Sequence, residues 1–353
     1  MSQTVDPKQI EKKLTDIWRD LEKTGQMRAC LFNLILYNPL SKRTDYIKQI
    51  SQKVLEKFPC RIILINHDPE KESLESSVSV IPQDDKENSV VCDYIEINVG
   101  TKDLDRASFL ILPHLLPDLP IYMLWGEEID INNPLYSRLE DFCTRTIFDS
   151  ECTNNLSEFI KNLLEIKCNI ADLNWGRIES WKNLFVVNFQ PCLYLEDLKK
   201  AEKITILYNS YQTEYFKQSK VQALYFHAWL ADRLGWEFKS SSKEELTYLR
   251  KDGGEVTFSF IPEKNTSLKP ATIISIKVES EEDKLFELVR SEKNENQVLF
   301  HASTKTICDI PNNFWLEKAN EGQTLVKEIY YKGTSKHFLS MLKKLQNLPL
   351  EAL

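Results

Sequence analysis

Glycine is scarce in this sequence: 9 residues in 353, where average usage of about 7% would give roughly 25. No two glycines stand at G-x-G spacing, and none is followed by Lys and then Ser or Thr. A dinucleotide fingerprint and a P-loop both need glycines so that backbone N–H groups can approach a phosphate, so neither loop can be built here. Other chemical signatures are missing too. The chain has no C-x-x-C, no H-E-x-x-H and no G-x-S-x-G, and only 5 histidines. No catalytic, cofactor-binding or metal-ligating residue is therefore assigned, and no cofactor is expected. Basic character is also lacking. The net charge of −8 and pI near 5.4 disfavour nucleic acid or an anionic membrane surface as partner. Long apolar runs are absent. The most apolar stretch, Phe109 to Trp125, is interrupted by Pro113, His114, Pro117, Asp118 and Pro120, whereas a membrane helix wants about 20 apolar residues. The first residues carry no apolar core of a secretory signal. A cytoplasmic protein with its eight cysteines reduced is the expectation.

The residues that are present support a substantial core, with 42% apolar and 10% aromatic. Asp6-Pro7 caps a helix whose apolar residues Ile10, Leu14, Ile17, Trp18 and Leu21 repeat at helical spacing. Strands are expected at 29–37, 60–65, 89–99, 119–125 and 144–150, with helices at 44–58, 103–115, 133–142 and 155–167. The strand beginning near Ser89 is expected to run antiparallel, and the charged stretch 67–88 to form a solvated hairpin arm. This alternation implies an α/β domain over residues 1–169, a mostly parallel sheet with helices on both faces and no phosphate loop. Around residue 170 the character changes, and five of the seven tryptophans lie beyond it. Helices are expected at 174–189, 213–234 and 335–348, with strands at 203–208 and in several later runs. "LFELVR" (285–290) fits either a strand or a helix. Residues 170–353 read as a tryptophan-rich α+β domain with a mostly antiparallel sheet.

Two motifs are dense enough to carry function. In "LLPDLPIYMLWGEE" (115–128), prolines force an extended entry and Gly126 allows a sharp exit. Asp118 serves as a turn residue or a functional carboxylate. Glu127 and Glu128 follow the strand, where open α/β sheets place ligands. In "DLNWGRIESWK" (172–182), Trp175 and Trp181 flank Arg177. Trp and Arg are enriched at interface hot spots, and an inter-domain seam accounts for the same residues equally well.

Four motifs in order, "FPCRIILI" (58–65), "LLPDLPIYMLW" (115–125), "DLNWGRIESWK" (172–182) and "WLADRLGW" (229–236), resemble those of the glucose-6-phosphate dehydrogenase assembly protein family (OpcA family). The resemblance spans almost the whole chain. It implies a non-catalytic assembly factor or allosteric activator that binds glucose-6-phosphate dehydrogenase and supports the oxidative pentose phosphate pathway and NADPH supply. The motif residues Trp175, Arg177, Trp181, Asp118, Trp125, Trp229, Arg233 and Trp236 are then candidates for partner contact. Gly126 departs from the family, which has a second Trp there. Beyond Asp172 only Cys192 and Cys308 occur, so a redox role is not carried over. The competing reading is an enzyme or sensor that takes a sugar phosphate at the strand ends of the first domain.

Overall fold

The computed structural model describes all residues except 1–2, 24, 41–42, 73, 84–89, 191, 215, 305–309, 317–321, 332 and 353; Cys308 lies outside the described residues. The chain folds into two compact units, each assembled from separate stretches. Met1–Asp149, Glu165–Leu173 and Asn320–Thr334 form the first, and Ser150–Leu164, Asn174–Ala319 and Ser335–Leu353 the second.

The first unit holds strands β1 (Gln3–Val5), β2 (Met27–Arg28), β3 (Asn33–Pro39), β4 (Arg61–His67), β5 (Glu75–Pro82), β6 (Val90–Val99), β7 (Ile121–Trp125), β8 (Arg145–Phe148) and β9 (Asn169–Asp172). Their order is β1-β5-β6-β4-β3-β7-β8-β9, with β2 beside β6. All pairs from β6 to β9 are parallel. The chain runs outward from β3 through β4 to β6, then returns to the other side of β3 and runs outward through β7, β8 and β9. That is the doubly wound order, with its reversal between β3 and β7. Helices Thr44–Leu55 and Gln323–Tyr330 pack on the face bearing Leu34, Leu36, Ile62 and Leu64. The alternate residues Ile35, Ile63, Ile65 and Met123 are equally buried, as in a sheet covered on both faces.

One expectation changes here. β6 is parallel to β4 and antiparallel only to β5. The excursion after β4 provides β5, set one place further out, so β6 inserts between them in the parallel sense. Capping follows local chemistry. Asn133 Oδ1 accepts from Leu135 N and Tyr136 N at the start of helix Pro134–Glu140. The segment Asn320–Thr334 joins this unit through Arg145, which donates to Glu328 O at 2.8 Å and Tyr331 O at 2.7 Å and pairs with the Glu328 carboxylate.

The second unit holds β10 (Ala201–Asn209), β11 (Glu237–Ser242), β12 (Glu245–Leu249), β13 (Glu255–Glu263), β14 (Ile273–Ser280), β15 (Lys284–Arg290), β16 (Gln297–Ser303) and β17 (Asn312–Trp315). The order is β11-β12-β13-β10-β14-β15-β16-β17. Only β10 and β13 pair in parallel; the other pairs are antiparallel. The segment 285–290 is thus a strand.

One face of this sheet carries Ile204, Ile206, Phe258, Phe260, Phe286 and Leu288, all buried. Helix Val221–Leu234 lies on it, with the His227 ring 5.0 Å from Phe258 and 5.4 Å from Phe260. Gly235 ends that helix at φ 67°, the left-handed cap that glycine adopts without a Cβ penalty. Helix Lys336–Gln346 packs along Val221–Leu234. Two helices are shorter than their pattern suggests. The expected 213–234 helix begins at Val221, because Lys217 N and Gln218 N donate to Glu151 O instead of entering a helix. The expected 174–189 helix is two, Leu173–Arg177 and Glu179–Asn188, separated by Ile178 at ψ 0°.

Candidate functional site

The carboxyl ends of β3 and β7 mark the reversal point, where doubly wound sheets bind ligands. Here the chain's own side chains fill it. The aromatic rings of Tyr37 and Trp125 are stacked, 3.8 Å apart and inclined by 4°, and both are fully buried. Gly126 N donates to Tyr37 O at 3.1 Å. A Cβ on Gly126 would lie 2.6 Å from that carbonyl oxygen, so the two strand ends are closed on each other. Arg43, immediately before helix Thr44–Leu55, donates to Gly126 O and forms a buried ion pair with Asp149, just beyond β8. In a dinucleotide-binding sheet the position ahead of this helix receives the pyrophosphate. Here a guanidinium already neutralised by Asp149 stands beside it.

Three asparagines at matched register, Asn38, Asn66 and Asn98, close β3, β4 and β6. Asn38 Nδ2 donates to Asn66 Oδ1 at 2.9 Å, and Asn66 Nδ2 to Asn98 Oδ1 at 2.9 Å. Sequence reasoning passed over this row. Its signal is the apolar run ending in Asn that recurs as "ILYN", "ILIN" and "YIEIN". Next to it, Tyr37 Oη and His67 Nδ1 are 2.8 Å apart, and His67 Nε2 is 3.2 Å from Thr101 Oγ1. Tyr37 also bonds the Glu127 carboxylate. Burial raises the Glu127 carboxyl above its ordinary range, and the nearby Asp130 and Glu128 charges add to this. Burial likewise lowers His67. The neutral imidazole and phenol serve as hydrogen-bond partners that hold the strand ends together.

The D-L-N-W motif forms a polar pin. In the first unit, Asp172 ends β9 and is fully buried. In the second unit, Asn174 Nδ2 donates to Ser150 Oγ at 3.0 Å, while Asn174 Oδ1 accepts from Gln222 Nε2 at 3.2 Å and Arg177 Nη1 at 3.0 Å. Arg177 also pairs with Glu151 at 2.9 Å. Arg177 is therefore tied into the second unit by these contacts, with its side chain 15% exposed.

The tryptophan candidates are enclosed. Trp125, Trp181 and Trp236 are among the largest fully buried side chains, and Trp175 and Trp229 are buried as well. Trp175 holds the Lys182 ammonium 3.1 Å from its ring centroid. Arg290 lies over the Trp181 ring at 5.6 Å. Trp236 O accepts from Lys344 Nζ at 2.6 Å. Arg233 is exposed near the end of its helix. Asp118 is exposed in the turn between Pro117 and Pro120 at φ 64°, a conformation that a short polar side chain tolerates. Asp118 and Trp125 lie in the first unit, and Trp175, Arg177, Trp181, Trp229, Arg233 and Trp236 in the second.

Among the described residues, all cysteines are free thiols. Cys143 and Cys168 both adjoin the Thr146 hydroxyl, and burial raises both thiols. Among the described residues no helix is long and apolar enough to cross a membrane.

Known proteins supply the remaining context. Residues 51–165 match the Glucose-6-phosphate dehydrogenase subunit N-terminal domain, and residues 168–331 match the corresponding C-terminal domain. A protein of Nostoc punctiforme named as the OxPP cycle protein OpcA is 32% identical over 208 residues, covering 57% of this chain and 43% of that protein. Its namesake from Synechocystis is 28% identical over 207 residues, covering 56% of this chain and 42% of that protein. The matched stretch thus spans less than half the length of these curated relatives.

Two solved structures show a distant likeness. A protein from Erwinia carotovora atroseptica described as an oxidoreductase has TM-score 0.46 at 9% identity, covering 91% of this chain and 98% of its own. A super-repressor mutant of Gal80p from Saccharomyces cerevisiae has TM-score 0.46 at 10% identity, covering 92% and 96%. With both of its domains matched in order along the sequence, the chain belongs to the glucose-6-phosphate dehydrogenase subunit family, the OpcA family.

Proposed function

We propose that this chain is a non-catalytic subunit that binds glucose-6-phosphate dehydrogenase, promotes its assembly and activity, and so supports the oxidative pentose phosphate pathway and NADPH supply. The observation that carries the reading is the match to both domains of a family described as that enzyme's subunit. The reversal point of the first sheet supports it. A doubly wound sheet without a glycine loop, with Arg43 and Asp149 occupying the ligand position, suits a scaffold better than a nucleotide enzyme. The NADP chemistry then belongs to the partner. Asp118 and Arg233 are the motif residues that remain exposed and available to it.

The test mixes the purified chain with the dehydrogenase from the same source. A lower KM for glucose-6-phosphate or a higher kcat is expected, together with a larger complex on size exclusion with light scattering. No change in kinetics or in mass refutes the reading. Thermal stabilisation of the chain alone by millimolar NADP or glucose-6-phosphate would assign ligand binding to this chain and overturn the scaffold assignment.

A further inference from the structure

Helix Val221–Leu234 and the rings of Phe189 and Tyr194 pack on the face of the second sheet that carries Phe258, Phe260, Phe286 and Phe300. On the opposite face the strand registers place Ile261, Leu207, Ser275, Val289 and Leu299 side by side across five neighbouring strands. Trp315 follows on the edge strand, two residues from Asn313, which pairs with Leu299. Ile261 is 47% exposed, Val289 38% and Trp315 67%. A connected apolar row left in solvent is the pattern of an interaction surface rather than of scattered exposed residues.

The charges beside the row decide what it can meet. On the outward side of β10 and β12 to β17 the lysines are Lys203 and Lys277. Both are bound within the face, Lys203 to Glu245 at 3.6 Å and Lys277 to Glu279 at 2.7 Å. Glu255 pairs with Lys239 of the edge strand β11. Glu263 and Glu287 are the outward carboxylates left over. Glu287 stands across from Lys277, but that ammonium is bonded to Glu279. Glu263 follows Ile261 by two residues, and Glu287 precedes Val289 by two. Since β13 and β15 run in the same direction, these two carboxylates lie on opposite sides of the apolar row.

The uncompensated charge has one sign on both margins. With strands about 4.8 Å apart and a rise of about 3.4 Å per residue, Glu263 and Glu287 are about 20 Å apart across the row. An occupant has to bring an apolar strip with Lys or Arg along both of its edges. Nucleic acid and anionic membranes are repelled. A second copy of the same face is disfavoured as well, because it brings the same surplus of carboxylates and no lysine that is not already bonded, and like charges set against each other across an interface are costly.

We propose that the open face of the second unit's sheet holds the dehydrogenase, through a strip of that enzyme's surface that is apolar in the middle and basic along both edges. This rests on the reading of the chain as that enzyme's subunit, and adds the surface used and the sign of charge it selects. The test measures the Kd of the full chain for the dehydrogenase from the same source by biolayer interferometry. Glu263→Lys and Glu287→Lys should each raise Kd tenfold or more, and Val289→Glu at least as much, all with an unchanged melting temperature. Lys277→Gln releases Glu279 and should lower Kd. Added salt should weaken wild-type binding steeply, and binding by the Glu263→Lys, Glu287→Lys double variant much less. Glu263→Lys and Glu287→Lys proteins that bind as tightly as wild type overturn the proposal. So does Lys277→Gln if it weakens binding as much as Glu287→Lys does. If the chain dimerises alone, and Val289→Glu abolishes the dimer but leaves the Kd for the dehydrogenase unchanged, the face belongs to a second copy and the proposal is refuted. A wild-type chain that does not bind the dehydrogenase at all removes the proposed function and this inference together. A wild type that binds, with every variant matching it, removes this inference alone.

Discussion

Arg177 Nη1 lies 2.9 Å from Glu151 Oε1 and 3.0 Å from Asn174 Oδ1, and both partners are buried. The arginine that ends the D-L-N-W-x-R motif thus holds the turn at 150–152 to its own helix, Leu173–Arg177. Removing one member of a buried ion pair leaves the other charge without compensation, at a cost of about 3 kcal/mol or more. Arg177→Ala is expected to lower the melting temperature by roughly 6–12 °C for a unit of this size. Arg177→Met with Glu151→Leu should recover most of the loss. Thermal denaturation followed by circular dichroism checks both. An Arg177→Ala protein that melts like wild type yet binds the dehydrogenase poorly would move this residue from the interior to the interface.

His227 is fully buried. Its Nδ1–H donates to Leu224 O at 2.9 Å, and its Nε2 accepts from the Tyr248 hydroxyl at 2.7 Å. Burial pushes the imidazole down to about 3, whereas an unfolded histidine titrates near 6.5. Between those values the unfolded chain takes up a proton that the folded chain refuses. The stability from this residue is therefore complete above about pH 6.5 and falls as the pH drops toward 3, by up to about 1.4 kcal/mol per pH unit. Urea denaturation at a series of pH values should show a steeper acid loss in wild type than in His227→Leu, even though the variant is weaker at pH 7. Parallel profiles would mean that the ring is already charged or exposed in the folded state.

Which of these relationships the sequence exposed depends on their range. Local devices were readable. Asp118 between two prolines turns the chain, Asn133 caps its helix, and Gly235 ends the apolar helix in the left-handed conformation. Each involves residues only a few positions apart. The Asn38–Asn66–Asn98 row was readable in principle, because each asparagine closes an apolar strand, but only knowledge of the register makes it a row. Long-range contacts left no trace. Helical periodicity around 213–220 looked continuous, and nothing near it showed that Glu151 O would capture two of its N–H groups. Trp175 and Trp181 read equally as interface anchors or as an inter-domain seam, since composition does not say which side of a helix faces inward. The buried ring of Trp181 and the exposed ring of Trp315 are separated by packing alone.

The close approach of Gly126 to Tyr37 makes a sharp test of the closed reversal point. The atom that an added Cβ would meet is a backbone carbonyl oxygen at 2.6 Å, which cannot swing aside as a side chain can. Gly126→Ala must part β3 from β7 or bend the exit of β7, at a cost of about 1–3 kcal/mol. The expected result is a lower melting temperature with the same oligomeric state. A variant as stable as wild type would show that the strand ends separate readily and that the crevice can open to a ligand.

The Arg145–Glu328 pair spans 183 residues and attaches helix Gln323–Tyr330 to the first unit, where Leu325 and Ile329 join the core beside Ile47 and Ile50. Both charged side chains are buried. Arg145→Met would leave the Glu328 carboxylate buried without its guanidinium and the carbonyls of Glu328 and Tyr331 without their donor. The helix has two turns and little stability of its own, since isolated helices shorter than about 12–15 residues are marginal in water. Its apolar contacts alone then have to hold it. Hydrogen exchange of residues 323–330 is expected to accelerate at least tenfold in Arg145→Met, while the amides of β3 and β4 keep their protection, because local opening does not require the central sheet to unfold. Arg145→Met with Glu328→Met removes the buried charge as well as its partner and should restore much of the protection. Unchanged exchange in the single variant would show that the apolar contacts hold this helix and that the ion pair sets only its register.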